Sequence, residues 1–182
     1  MNVIAIVLFL HLLGALFLYM DFALEWLIQG RVASSATLEQ ARPWLMAGQR
    51  VPLLGAIGGI GIFIPGLYLT AREALWNQAW IQAAMTAAIV IVVLGMAITR
   101  PRMRKLGKAA HDAVPGAAQG TGQSGSDAIK RLKDPLVALS LRIRVLLGIG
   151  VLYLMVVKPD LAGTLVAVGV SLVVGIAAGI AA

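Results

Sequence analysis

One histidine, His11, sits at the middle of an uncharged eighteen-residue run, Val3 to Met20 (VIAIVLFLHLLGALFLYM). At about 1.5 Å rise per residue such a run spans most of a bilayer core of roughly 30 Å. An imidazole at that depth must find a polar partner or lose its solvation energy. On a helix His11 shares a face with Val7, Leu8, Gly14, Ala15, Leu18, Phe22 and Glu25. Gly14 and Ala15 leave room beside the ring for a flat ligand or for a neighbouring helix. Three chemistries therefore stay open: a hydrogen bond across the bundle to a carbonyl or hydroxyl, an axial bond to a haem iron, and a proton or metal relay with His11 as ligand. Haem b is the first cofactor candidate. It would lack a second histidine, and Met85 of the third apolar stretch is the nearest alternative ligand.

Charged residues form a second constellation. Asp21 and Glu25 lie four residues apart, hence on one helix face, just past the first apolar run. Paired carboxylates bind cations or pass protons, and they also simply pair with arginine. Arg31, Arg42 and Arg50 in the following loop are the expected partners. Arg142 and Arg144 lie inside the fourth apolar stretch and are expected to snorkel along their stems toward the headgroups. Cysteine is absent, which excludes disulfides, thiolate metal sites and cysteine nucleophiles. No nucleophilic triad, phosphate-binding glycine loop or metalloprotease motif is present, and no hydrolytic activity is indicated.

The elements that must position these groups are membrane helices. The 182 residues are 60% hydrophobic and 13% charged, too apolar for a water-soluble domain of this size. Five apolar stretches are expected as spanning helices: Val3 to Met20, continuing as helix to about Ile28; Val51 to Ala71; Ala79 to Thr99; Leu136 to Val157; and Leu161 to Ala182. No basic residue precedes the first and no small-x-small cleavage site follows it, so it reads as a retained helix rather than a signal peptide. The expected fold is all-α: a single polytopic transmembrane bundle covering 1–182. With the amino terminus outside and the carboxy terminus inside, eleven loop cations fall on the inner side against Arg72 and Lys158 on the outer. That asymmetry predicts the orientation in the membrane. Membrane lipids are the expected partners. The net charge of +7 belongs to these loops and does not indicate nucleic acid.

Two inner loops follow. Residues 21–50 should carry a short interfacial helix, because Thr37 and Gln40 have capping-box spacing and Leu38, Ala41, Trp44 and Leu45 share a face, with Pro43 bending or restarting it. Residues 100–135 are basic at both ends (PRMRKLGK and KRLK) around GAAQGTGQSGSD, a Gly/Ala/Ser-rich flexible linker. On the fifth helix Gly163, Ala167, Ser171, Gly175 and Gly179 recur every four residues, a stripe that lets helix backbones approach within the chain or in a homodimer. The second helix carries Gly58 and Gly61 before a kinking Pro65; these permit close packing or a flat ligand against the backbone.

The motifs HLLGALF at His11, PGLYL at Pro65, Trp76 with Trp80, RPRMRKL and VVKPD together resemble a bacterial family of integral membrane proteins of unknown function. That family is similar to copper-resistance D-type membrane proteins and, more remotely, to the haem-containing membrane protoporphyrinogen oxidase. The resemblance covers most of the chain outside the Gly-rich loop. It implies a compact bundle with His11 facing inward, and in the oxidase branch a haem on the residue matched by His11. That branch also carries a lysine just after a third-helix tryptophan. Here Ile81 and Gln82 follow Trp80, a departure that argues against oxidase chemistry. The expected function is a non-catalytic inner-membrane protein that binds a ligand or cofactor around His11, Gly14, Gly58 and Gly61. The alternatives are a metal or proton transport accessory, with His11 as the metal ligand, and a structural or partner-binding protein.

Overall fold

A computed structural model describes residues 2–112 and 135–180. Every regular element among them is helical. Helix α1, Val3–Ala33, begins where the Asn2 side chain accepts a hydrogen bond from the Ile4 N–H at 3.1 Å. Its 31 residues reach about 46 Å at 1.5 Å each, well beyond the hydrocarbon thickness. The helix thus runs past its apolar stretch and carries Asp21 and Glu25 beyond it. Hydroxyls of Ser34 and Ser35 donate to the Arg31 carbonyl at its end (3.1 and 2.8 Å).

The short helix of the first loop is α2, Leu38–Gly48. Thr37 Oγ1 accepts from the Gln40 N–H at 3.3 Å, while Gln40 Oε1 accepts from the N–H of Ala36, one residue earlier than in a regular capping box. Pro43 lies inside α2 and does not end it. Ala41 and Leu45 are buried against Ile28 and Val32 of α1 and Val51, so α2 is packed onto protein on that face. Helix α3, Val51–Arg72, follows and pairs with α1. A left-handed Ala74 and a single 3₁₀ turn, Leu75–Asn77, lead into α4, Ala79–Leu94.

The chain then widens into one π-helical turn, Gly95–Thr99, and continues without a break as α5, Arg100–Asp112. The second loop was expected to begin at Arg100. Its first part is instead helix packed on α2; the Gly/Ala/Ser-rich stretch lies outside the described residues. Helix α6, Pro135–Val157, turns at Lys158 (φ 50°) into α7, Leu161–Ile180, whose first turn is capped by Asp160 Oδ1 accepting from the Gly163 N–H at 2.8 Å.

Five segments are long and apolar enough to cross a membrane: Val3–Ala33, Glu39–Arg72, Ala79–Lys105, Pro135–Val157 and Leu161–Ile180. Their outer faces are apolar and open, with Leu16, Ile60, Ile64, Leu165 and Ile180 all largely exposed, as lipid-facing positions must be. The helices group as α1 with α3, and as α4 with α6 and α7; α1 on α6 joins the groups. Phe22 of α1 packs with Ala87, Ile91 and Leu147 at that joint, and the Tyr19 hydroxyl donates to the Gly148 carbonyl at 2.6 Å.

Small residues set both close approaches. A Cβ on Gly14 would collide with the Gly61 backbone, and one on Gly58 would lie 2.6 Å from the Leu18 nitrogen. On α7 the stripe faces α6: Gly175 meets the Ile143 backbone, Gly179 meets Leu139, and Ser171 fills the space left by Gly150. Ala167 accepts the Ser171 hydroxyl at 2.8 Å, and Gly163 abuts Pro159 in its own turn.

Candidate functional site: an ion triad beneath a cleft

Asp21 and Glu25 come together around Arg144. The sequence reading sent this arginine to the headgroups; it points into the bundle instead, with its side chain 5% exposed. Its Nη1 donates to Glu25 Oε2 at 2.7 Å, and its Nη2 lies 3.5 Å from Asp21 Oδ2. Asp21 and Glu25 therefore pair with Arg144 of α6 rather than with the loop arginines, and Arg31 stacks on Trp44 at 5.5 Å. Spacing had identified the two carboxylates as one helix face but could not name the helix opposite. Arg142, two residues from Arg144, falls on another side of α6 and sits 5.7 Å over the Trp26 ring.

The cradle of Arg144 has several walls. Its guanidinium carbon lies 5.2 Å over the Phe22 ring, a cation–π arrangement. Nη1 also reaches Thr99 Oγ1 at 3.4 Å, and the Thr99 and Ser140 hydroxyls are 3.1 Å apart. Gly95 closes the remaining side: a Cβ there would stand 3.3 Å from the guanidinium carbon. The π-helical turn supplies both Gly95 and Thr99. An extra residue per turn displaces carbonyls from the helical ladder, and π turns of this kind recur at working sites. Here the Leu94 carbonyl, at the entry to the turn, is met by the Ser140 hydroxyl at 3.4 Å. Phe22 had been placed only on the His11 face, and Thr99, Ser140 and Gly95 had not been named as site residues. Ser140 precedes Arg144 by four residues, a signal that becomes readable only once Arg144 is known to face inward.

Asp21 is the deepest member, 3% exposed at its side chain, with Gly55 of α3 pressed against the carboxylate; a Cβ on Gly55 would lie 2.8 Å from Oδ2. Its Oδ1 is buried and accepts no hydrogen bond among the described residues. Glu25 is less enclosed, 13% exposed at its side chain. It borders an open cleft of about 550 Å³ between α1, α3 and α5. Thr99, Arg100, Arg104, Gln29 and Gln49 are its other polar walls, with Ile28, Val51, Leu53 and Met103 among the apolar ones. Arg100 is fixed at the rim by donating to the Pro52 carbonyl at 3.1 Å.

His11 lies about ten residues up α1 from Asp21 and is half-buried. Its Nδ1 is 3.0 Å from the Ile62 carbonyl, which is the cross-bundle hydrogen bond considered among its chemistries. Gly66 packs against the same edge of the ring; a Cβ there would be 3.1 Å from Cε1. Gly14 and Gly61, placed beside His11 as a seat for a flat ligand, are instead in backbone contact, and Gly58 is closed off by α1. A macrocycle does not fit the α1–α3 seam that these glycines form. No group of three or more carboxylate or imidazole ligands suited to a metal occurs among the described residues. The stripe on α7 is engaged by α6.

Comparison of the chain with protein-family models, with curated proteins and with solved structures yields no match.

Proposed function

We propose that this multi-pass membrane protein handles protons, as a transport element or an accessory to one, and that Glu25 and Asp21, held together by the permanently charged Arg144, carry the proton across the membrane edge. One observation carries the reading. Glu25 borders the open cleft and at the same time bonds Arg144, which in turn pairs with the enclosed Asp21. A titratable group reachable from water thus touches a second one held away from it, through a single fixed cation. Two carboxylates face one guanidinium, so the cluster holds one negative charge that a proton, a small cation or the rim residue Arg100 must balance in a poorly polarisable medium. Ionisable residues kept inside a membrane bundle are costly, and proton relays are among the uses that retain them. The inner-membrane location and the amino-terminus-out orientation, taken from the loop charges, are part of the same proposal.

The test is proton uptake into liposomes containing the purified full chain, driven by a potassium diffusion potential. Uptake above that of protein-free liposomes is expected, with at least tenfold loss in Glu25→Gln. Wild-type protein giving no uptake, or Glu25→Gln retaining all of it, overturns the proposal.

A second reading keeps a ligand at His11. It is supported by the Nδ1 hydrogen bond to Ile62, the arrangement that leaves Nε2 of a neutral imidazole with a lone pair for a metal. A visible absorption spectrum of protein purified from cells supplied with haem separates the two. A Soret band lost in His11→Ala favours a haem on Nε2, outside the α1–α3 seam, and a featureless spectrum removes haem from this reading.

A further inference from the structure

The cleft offers more hydrogen-bond donors than acceptors. Arg100 and Arg104 bring two permanent cations to its wall. Gln29 borders it too, and the Gln29 Nε2 group is buried with no acceptor among the described residues. The one carboxylate present, Glu25, is already engaged by Arg144 at 2.7 Å. Beside these groups the wall is apolar: Val51, Leu53 and Ala56 belong to the first turns of α3, where Arg100 bonds the Pro52 carbonyl. Leu53 is 66% exposed. The cleft therefore has a cationic, donor-rich end at the membrane edge and a greasy side continuous with the lipid-facing surface of a spanning helix. Lys105 and Lys108, exposed further along α5, extend the positive field beyond the rim.

We infer that the cleft binds a phosphoryl anion carried on an apolar chain, the headgroup of an anionic phospholipid. The phosphoryl oxygens would take the Arg100 and Arg104 guanidiniums and the unpartnered Gln29 amide, and the first acyl carbons would lie along Leu53 and Ala56. Guanidinium suits this task because its planar fork matches two phosphate oxygens at once. A zwitterionic headgroup brings a choline cation to the same two arginines and is disfavoured. The site does not depend on proton movement, because it is read by lipid retention rather than by flux.

The experiment is native mass spectrometry of the full chain released from detergent, after titration with dioleoyl phosphatidylglycerol, dioleoyl phosphatidylcholine or inorganic phosphate. Phosphatidylglycerol is expected to remain bound and phosphatidylcholine to be lost. Arg100→Gln combined with Arg104→Gln should weaken retention about tenfold or more, and Gln29→Leu, which keeps both cations, should weaken it less. Lys108→Gln, outside the cleft, should leave it unchanged, which separates a built site from general basicity. Equal retention of the two lipids, undiminished retention in the double variant, or binding of inorganic phosphate without phosphatidylglycerol would overturn the inference. Should the double variant fail to fold, undiminished retention in Gln29→Leu would overturn the donor assignment.

Discussion

Arg144 owes its position to what its neighbours lack. Gly95 has no side chain to obstruct the guanidinium, and Gly55 has none to obstruct Asp21. The residues of the triad were visible in the sequence as charges near or within apolar stretches, but their pairing was not. A four-residue spacing fixes a shared face and says nothing of which helix lies opposite, and an arginine near the end of an apolar stretch can equally reach outward or inward. The same ambiguity affected Gly14 and Gly61, since glycine beside a histidine makes room for a ligand or for a backbone. The two cases separate by substitution. Gly14→Leu should destabilise the protein by about 1–3 kcal/mol, because the added side chain meets the Gly61 backbone. Gly59→Ala has no atom within 4 Å of the new methyl and should be neutral or stabilise by up to about 1 kcal/mol. Unfolding in detergent followed by circular dichroism checks both; equal effects would show that α1 and α3 do not touch as described.

Element boundaries were more legible than contacts. Helices α1, α3, α4, α6 and α7 each begin within a residue of an apolar stretch read from the sequence, because runs of this length and hydropathy have no other stable state in lipid. Their ends were less legible. Helix α1 continues to Ala33, since Ile28 and Val32 pack under α2, and α5 extends the third span past Arg100 because basic residues at a membrane edge break no helix. The π-helical turn has no sequence signature at all. For α7, periodic small residues announced a close helix crossing without naming the partner, and α6 occupies that face. Gly175→Leu should therefore destabilise the protein by about 1–3 kcal/mol through its clash with Ile143. Gly169→Leu, which points into open space, should cost far less. Thermal unfolding of the two variants side by side measures the difference, and equal midpoints would contradict the α6–α7 seam.

At the scale of the whole molecule, two helix groups meet along α1 and α6, and the triad sits in that joint beside Phe22 and Leu147. A hydrophobic joint in lipid has little solvent-driven cohesion, so the ion pairs and the Tyr19 hydrogen bond carry a larger share of specificity than they would in water. The proposed orientation, amino terminus outside, is checked simply, because the chain has no cysteine. Asn77→Cys, exposed between α3 and α4, should react with a membrane-impermeant maleimide on intact cells. Glu39→Cys, exposed on α2, should react only after lysis. The reverse pattern would invert the topology and place the triad and cleft on the outer side.

The joint itself is tested most directly by a double-mutant cycle between Glu25 and Arg144, read as unfolding free energy in detergent. Arg144→Gln alone should cost about 3–5 kcal/mol by leaving two buried carboxylates without their cation. Combining it with Glu25→Gln should recover part of that loss, giving a coupling of about 2 kcal/mol or more. Strict additivity, within about 0.5 kcal/mol, would mean that the two side chains do not meet inside the bundle and would contradict the site described above.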